Sequence, residues 1–238
     1  MGNLKSCLVF RDRVYCPDYD SHQDMLEKLG IKDDYLGASE TFVRVELLPP
    51  RNAETMAESI MEPLDRWTLK VDQDVTPEWW DAEADRQRVE EAVEAWRGEH
   101  VFTEGIHIIR SGKIFACGSA KIIACDSAKV DVCDSATVIA RDNATVTAFD
   151  SAYVQALNDA AVEAWGCSKV AAYDNASVKA WDSTIIDANG NAIVKAFGSS
   201  KIEAYDNAKV EARGVSVVTY PWERKIVFPA GWTAETHD

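Results

Sequence analysis

Side chains that commonly carry out chemistry are few in this sequence, and their spacing favours no reaction. The histidines do not lie with cysteine, aspartate or glutamate at the intervals of a metal site. Phosphate-binding loops, EF-hands and serine or cysteine nucleophile motifs are also missing from the sequence. The sequence therefore predicts a protein that is not an enzyme, with no catalytic residues, metal site or cofactor. The four histidines are His22, His100, His107 and His237, and we interpret His107 as structural.

The six cysteines are interpreted as free thiols in a reducing cytosol. The chain is long, and the spacing of its cysteines does not suggest a disulfide framework. Cys117, Cys125 and Cys133 recur every eight residues, whereas Cys7 and Cys16 can face each other across a hairpin. No apolar run is long enough for a signal peptide or a membrane span. The sequence therefore predicts a cytoplasmic protein without a membrane partner.

Acidic side chains are abundant and unevenly distributed. The net charge is −15, and residues 1–112 hold 24 acidic against 13 basic side chains. The stretch from Asp72 to Glu99 alone has ten acidic residues and three arginines. Such a surface repels nucleic acids and anionic membranes and favours a basic protein partner. The carboxylates expected to form this docking surface are Asp81, Glu83, Asp85, Glu90, Glu91 and Glu94.

A helix is expected to position these carboxylates. Thr76 is a suitable N-cap, Pro77 a suitable first helical residue, and Gly98 a stop signal just after Arg97. An apolar stripe runs through the same stretch, so one face of the helix packs while the other is solvated. A solvated amphipathic helix without a partner is the alternative interpretation of the same charges. The stripe consists of Trp79, Ala82, Val89, Val93 and Trp96.

The longest regular pattern is a run of thirteen eight-residue repeats from Lys113 to Ser216. Position two is always Ile or Val, position four is Ala except at Val132, and position eight is small. Positions two and four predict a short strand with one inward side, and Asp, Asn or Gly at position six predicts a turn. A strict short period is typical of a chain that stacks on itself. We therefore predict a mainly β protein built around a parallel β-solenoid with a thin interior.

Large aromatic residues at position five indicate how many octads complete one coil. Four of them follow one another at intervals of sixteen residues, and two tyrosines share the other phase. They are Phe149, Trp165, Trp181 and Phe197, with Tyr173 and Tyr205 in the second phase. A coil of about two octads gives a rod roughly 30 Å long. Position five faces outward when positions two and four face inward. The aromatic ladder is then a self-covered surface, a homodimer contact or a partner-binding surface.

Three segments result: an acidic α+β domain at 1–110, the octapeptide-repeat solenoid at 111–216 and a C-terminal cap at 217–238. The cap is expected to cover the open end of the rod, because an exposed strand edge promotes aggregation. Its predicted elements are strands Val217–Tyr220 and Ile226–Phe228, with Trp222 and Trp232 nearby.

Besides the acidic helix, the first segment is predicted to contain two helices and four strands. One helix is capped by Ser21 and ended by Gly30, and the other is capped by Asn52 and ends near Pro63. The strands are a hairpin of Leu8–Phe10 and Val14–Tyr15, followed by Phe42–Leu47 and Trp67–Val71.

The aspartates of the repeat allow two further hypotheses. Paired carboxylates can cleave glycosides, but a repeat without insertions builds no substrate groove. A column of carboxylates about 4.8 Å apart can imitate phosphates. Turn aspartates are often occupied by local hydrogen bonds, however, and lysines interleave with them here. The acidic helix is therefore the better candidate for nucleic-acid mimicry.

The octad Lys201-Ile-Glu-Ala-Tyr-Asp-Asn-Ala208 resembles the Ala/Val/Asp octapeptide repeats of small proteins from gut bacteria and their phages. The segment Asp72-Gln-Asp-Val-Thr-Pro-Glu-Trp-Trp80 is similar to such mobile-element proteins as well. The resemblance implies a phage or prophage protein acting in the cytoplasm of a bacterial host. By analogy only, the chain is similar to pentapeptide-repeat proteins that mimic DNA. Their repeat length differs, so no functional residue is carried over from them.

The sequence thus predicts a non-enzymatic protein that binds a macromolecule. The most concrete hypothesis is a mobile-element inhibitor, of the anti-CRISPR or DNA-mimic type, directed at a host complex that handles nucleic acid. Its partner would be a basic protein surface, with no direct contact to nucleic acid. The alternative is a structural or self-assembling β-solenoid scaffold that dimerises through the aromatic ladder. A carbohydrate-active β-helix is a third hypothesis.

Overall fold

The computed structural model describes residues 5–32, 38–50, 56–221 and 225–227. The chain divides into two compact units, Met1–Val101 and Phe102–Asp238. We refer to the first unit as the head and to the second as the solenoid. Among the described residues, no helix combines the length and the apolar character needed to cross a membrane.

The head contains a four-stranded antiparallel sheet. Strand β1 (Lys5–Phe10) pairs with both β2 (Val14–Tyr15) and β3 (Phe42–Leu48), and β4 (Thr68–Val71) forms the edge beside β3. Alternate side chains of β3 are buried, as a half-buried strand requires. The predicted hairpin and the two further predicted strands are therefore confirmed.

Short helices connect these strands. The first, α1 (His22–Leu29), begins after Ser21, whose hydroxyl accepts the N–H of Asp24 at 3.2 Å. It ends at Gly30, which has φ of +67°, so both predicted ends are confirmed. The predicted cap Asn52 lies outside the described residues. The next elements are α2 (Ala38–Thr41), α3 (Met56–Met61), a 3-10 turn at Leu64–Arg66 and α4 (Ala82–His100).

Helix α4 starts five residues later than the prediction from Pro77. Its N-cap is Asp81, whose carboxylate accepts the N–H groups of Glu83 and Ala84 at 3.0 and 3.1 Å. The prediction that Thr76 is the cap was wrong, because one carboxylate that satisfies two orphan N–H groups is the stronger start.

The predicted stop at Gly98 was also wrong. Helix α4 continues two residues further, to His100, and the N–H of Val101 bonds the carbonyl of Arg97. A glycine inside a helix costs only about 1 kcal/mol, which the packing of the preceding turns offsets.

Large apolar side chains form the core of the head. Leu8, Met25, Phe42 and Trp67 are each at most 1% exposed. The inner face of α4 joins this core through Val89 and Val93, with Trp96 also buried, as the predicted stripe requires. The two remaining stripe residues depart from it, because Trp79 precedes the helix and Ala82 is exposed.

The solenoid winds about seven turns between residues 101 and 219. Each strand pairs in parallel with the strands one coil away, so that Val154 lies beside Val138 and Val170. The predicted solenoid with two octads per coil is therefore confirmed. Its strands are β5 (Val101–Phe102), β6 (Ile106–Ile109), β7 (Lys113–Ala116), β8 (Lys121–Ala124), β9 (Lys129–Val132), β10 (Thr137–Ala140), β11 (Thr145–Ala148), β12 (Tyr153–Ala156), β13 (Ala161–Ala164), β14 (Lys169–Ala172), β15 (Ser177–Ala180), β16 (Ile185–Ala188), β17 (Ile193–Ala196), β18 (Lys201–Ala204), β19 (Lys209–Ala212) and β20 (Val217–Tyr220).

Alternate strands build two sheets. Odd-numbered strands β5 to β19 form the odd sheet, and even-numbered strands β6 to β20 form the even sheet. A last strand, β21 (Lys225–Val227), pairs antiparallel with β20 at the C-terminal edge of the even sheet. Trp222 and Trp232 of the predicted cap lie outside the described residues.

Strand pairing begins before the first recognisable octad. Strand β6 pairs in register with β8, which places His107 at position two and Ile109 at position four. The rings of His107 and Phe102 are 4.1 Å apart, and Nε2 of His107 bonds the carbonyl of Glu104 at 2.8 Å. The periodicity did not reveal this coil because His107 lies fifteen residues before Ile122, one fewer than the regular coil, and replaces the usual Ile or Val.

The interior of the solenoid consists of small side chains. The Ile or Val at position two and the residue at position four both face inward, and position eight closes the corner. All thirteen position-six residues have positive φ, and the eight that are Asp or Asn fall between 52° and 57°. Asp, Asn and Gly tolerate this conformation best, which confirms the predicted turn chemistry.

Candidate interaction surfaces and a thiol cluster

Two of the six predicted docking carboxylates stabilise α4 itself. Asp81 caps the helix, and Asp85 in turn accepts the N–H of Asp81 at 3.0 Å. Asp85 is only 4% exposed and also binds the guanidinium of Arg88 at 2.5 Å. This reciprocal arrangement is similar to a capping box. Asp85 is therefore enclosed within the head, with little of its carboxylate exposed at the surface.

The other four carboxylates differ in exposure. Glu90 is half-buried and forms a salt bridge with Arg86 at 2.7 Å. Glu94 is 69% exposed and forms a salt bridge with Arg97 at 3.4 Å. Glu83 and Glu91 are exposed, and the part of the chain that the structure describes places no cation within salt-bridge distance of either.

Glu83, Glu91 and Glu94 therefore define the exposed charge of this helix, which we call the α4 acidic face. Along the axis, Glu83 and Glu91 are about 12 Å apart, and Glu94 lies about 4.5 Å further. Three carboxylates against the single guanidinium of Arg97 leave a net negative potential that attracts a basic surface.

The six residues of the predicted aromatic ladder form two columns, one at the corner that follows each sheet. The column after the odd sheet contains Phe149, Trp165, Trp181 and Phe197, and the column after the even sheet contains Tyr173 and Tyr205. All six side chains are half-buried. In the second column, the hydroxyl of Tyr205 donates to Glu203 at 2.6 Å, which raises the pKa of this tyrosine.

The first column is a continuous ring stack in its C-terminal half. Trp165 and Trp181 are parallel within 4°, with ring centroids 4.1 Å apart. Phe197 follows at 5.8 Å, and the guanidinium of Arg213 lies 5.9 Å from its ring. Such contacts are worth about 0.5–1.5 kcal/mol each beyond burial. The rings thus stabilise the corner and still present one side to the surface.

The turn aspartates are occupied within the solenoid. Oδ2 of Asp174 accepts the N–H of Asn158 at 3.0 Å, and Oδ2 of Asp182 accepts the N–H of Gly166 at 3.1 Å, one coil earlier in both cases. Similar bonds join other adjacent coils. These carboxylates hold the corners together, which leaves the solenoid a weak mimic of phosphates.

The outer faces of the two sheets differ in chemistry. On the odd sheet, charges pair between coils, as in Lys179 with Glu163 at 3.0 Å. On the even sheet, Ile106 and Ile108 are 71% and 62% exposed, and Tyr153 and Ile185 are about 40% exposed. The octad pattern concealed this contrast because consecutive octads alternate between sheets.

A thiol cluster lies in the first column, N-terminal to the aromatic residues. The sulfurs of Cys117 and Cys133 and a carboxylate oxygen of Asp134 all lie within 4.8 Å of one another. Both cysteines are at most 3% exposed, whereas Asp134 is exposed. Sequence reasoning missed this trio because its ligands are separated by a full coil. The available signal was a pair of cysteines sixteen residues apart at position five.

A second thiol pair lies in the head. Cys7 and Cys16 are opposite each other across the β1–β2 hairpin, as predicted, and all six cysteines are free. The Cys7 thiol donates to Cys16, which raises the pKa of Cys7 and lowers that of Cys16. Cys16 also lines a cleft of about 400 Å³ together with Trp96 and His100.

No protein family, curated protein or solved structure matches this chain.

Proposed function

We propose that this protein is a non-enzymatic inhibitor that uses the α4 acidic face to bind a basic protein surface. The expected target is a host complex that handles nucleic acid, as in an anti-CRISPR or DNA-mimic protein of a mobile element. The observation that carries the proposal is the exposed charge of Glu83, Glu91 and Glu94, of which only Glu94 has a salt bridge in the described residues.

The contrast with the solenoid supports this choice of surface. Carboxylates at the corners are bonded to backbone N–H groups, and those on the odd sheet face lysines one coil away. Their interaction with a partner would require the loss of existing bonds. On the α4 acidic face, Glu83 and Glu91 have no ion pair among the described residues, and the pair of Glu94 with Arg97 is exposed, so a basic channel displaces fewer existing bonds here.

The rigid position of the helix supports the proposal further. Asp81 and Asp85 fix its first turn, and Val89 and Val93 anchor its inner face in the core. A preorganised charge array loses little conformational entropy on binding. Inhibition would follow by competition, because the carboxylates would occupy the cationic side chains that otherwise contact phosphates.

The test is a pull-down from bacterial lysate with the purified chain, washed at low and high salt, with bound proteins identified by mass spectrometry. We expect a basic nucleic-acid-binding protein that elutes as the salt concentration rises. The triple variant Glu83→Lys, Glu91→Lys and Glu94→Lys should lose this protein.

The matched control reverses three exposed carboxylates elsewhere in the head: Asp12→Lys, Glu27→Lys and Asp65→Lys. It changes the net charge equally and should retain the target. Equal retention by both variants, or equal loss, contradicts the role of the α4 acidic face.

A second candidate function is a self-assembling scaffold, and the ring stack of Trp165 and Trp181 favours it because its outer side is partly exposed. Light scattering of the double variant Trp165→Ala and Trp181→Ala tests this function. A wild-type oligomer that falls to the monomer mass supports the scaffold, and an unchanged mass rejects the stack as its interface.

A further inference from the structure

The thiol cluster at the N-terminal end of the first column has the composition of a metal site. It combines two sulfurs and one carboxylate, and all three ligand atoms lie within 4.8 Å of one another. No other trio of His, Cys, Asp or Glu among the described residues comes this close. We propose that Cys117, Cys133 and Asp134 bind a thiophilic divalent ion, with Zn²⁺ as the preferred occupant.

The distances suit a single tetrahedral ion. Zn–S bonds are about 2.3 Å and Zn–O bonds about 2.0–2.2 Å, so bound sulfurs are about 3.8 Å apart. Side chains already within 4.8 Å reach this geometry by small rotations. Three protein ligands leave the fourth position for water, and two thiolates favour zinc over calcium or magnesium.

The solenoid fixes the ligands in place. Strands β7 and β9 pair in register, so the cysteines that follow them lie on adjacent coils. Asp134 has φ of +56° at the tight corner, and its Oδ2 accepts the N–H of Gly118 at 2.9 Å. A hydrogen bond of this kind orients a carboxylate ligand and leaves its other oxygen for the metal.

Both thiols must lose their protons to bind the ion, because thiolates are the ligands. Binding of Zn²⁺ to the dithiol therefore releases protons, and the affinity of the site rises with pH.

The remaining cysteines of the solenoid lack this arrangement and therefore serve as controls. Cys125 belongs to the other column, where the residue one coil later is Arg141. Cys167 is exposed at position seven, with Ser151 and Ser183 one coil before and after it. Neither cysteine has a thiol neighbour at the same position.

The test is a titration of the reduced, metal-free full chain with Co²⁺, followed by displacement with Zn²⁺. We expect one equivalent of cobalt with a thiolate-to-cobalt charge-transfer band, and loss of that band on addition of zinc. Cys117→Ser and Cys133→Ser should each abolish the binding, and Cys125→Ser and Cys167→Ser should leave it unchanged. Asp134→Asn keeps the turn residue chemistry and should weaken Zn²⁺ binding by about tenfold or more.

Three results would overturn the proposal: no charge-transfer band with excess cobalt, a band that survives Cys117→Ser, or a band abolished by Cys16→Ser, which would place the site in the head. Circular dichroism verifies the fold of each variant. If a serine variant does not fold, unfolding of the wild-type chain and of Asp134→Asn with and without Zn²⁺ decides the question. Zinc should raise the wild-type midpoint, and should raise that of Asp134→Asn less. Equal shifts, or none, reject the site.

Discussion

The cores of the head and of the solenoid consist of side chains of different size. The head buries large, individually shaped side chains such as Met25, Phe42 and Trp67. In the solenoid, the buried strand residues of each octad are small: alanine at position four, except at Val132, and a β-branched residue at position two. Large side chains leave cavities when they are truncated, whereas small ones leave no space for enlargement. The head is therefore most sensitive to loss of volume and the solenoid to gain of volume.

The same contrast holds for polar groups. In the solenoid, the turn carboxylates accept N–H groups one coil away, as with Asp174 and Asn158, and Lys179 pairs with Glu163 in the same way. In the head, each pair is individual, as with Arg88 and Asp85. In a repeat, the same pairing of polar groups recurs from coil to coil. In an irregular unit, some charged side chains remain without an ion pair and are available to bind a partner. Function by charge is thus expected in the head.

The largest effect is expected from Trp67→Ala in the head. Trp67 is 1% exposed, so its removal leaves a cavity and should lower the free energy of unfolding by about 3–5 kcal/mol. Urea denaturation followed by circular dichroism measures it. The exposed neighbour is the control, and Thr68→Ala should change the value by no more than about 0.5 kcal/mol. Equal effects would refute the account of the head core.

Ala164→Leu should destabilise the solenoid by about 1–3 kcal/mol, because Ala164 is fully buried in a thin interior. Ala161→Leu adds the same atoms to the outer face of the same strand and should be nearly neutral. Their midpoints in chemical denaturation give the comparison. An interior that accepts leucine without loss would show that the solenoid is not closely packed.

Asp174→Ala should cost about 1–2 kcal/mol, because alanine is disfavoured at φ of +54° and the bond to the Asn158 N–H is lost. Asp174→Asn should be close to neutral, since Asn158 already occupies the same position with φ of +56°. Thermal unfolding of the two variants separates turn geometry from charge. A costly Asp174→Asn would mean that the negative charge itself matters.

The smallest effect is expected from the charge pairs of the odd sheet. Lys179→Ala removes an exposed salt bridge with Glu163 and should cost at most about 1 kcal/mol, less at high salt. Lys169→Ala, an exposed lysine on the even sheet, provides the reference. A difference between them that does not shrink with salt would argue against an electrostatic origin.

Elements set by local chemistry could be predicted closely. Ser21 and Gly30 bound α1 as expected, and the alternation of β3 was visible in its residues. Helix α4 shows the limit of this approach. Thr76 is an acceptable cap, but Asp81 has an additional partner in Asp85, and a sequence does not rank two caps that differ by such a contact.

The docking residues show a second limit. Six carboxylates of α4 were equivalent in the sequence, and burial separated them. Asp85 is buried and paired with Arg88, and Glu90 is half-buried and paired with Arg86, whereas Glu83 and Glu91 are exposed. A shift in the start of the helix does not change this division, which follows from packing.

The solenoid could be predicted from the chain alone, because every octad contains its own strand, inward residues and turn, and no distant contact is needed to specify them. The sixteen-residue phase of its aromatic residues was enough to define the coil. The folded chain was needed to show what the coils bring together: Trp165 on Trp181, Cys117 beside Cys133 and Asp134, and an outer face that is more apolar on the even sheet than on the odd sheet. These contacts arise because stacking places residues about 4.8 Å apart that are sixteen positions apart in the chain.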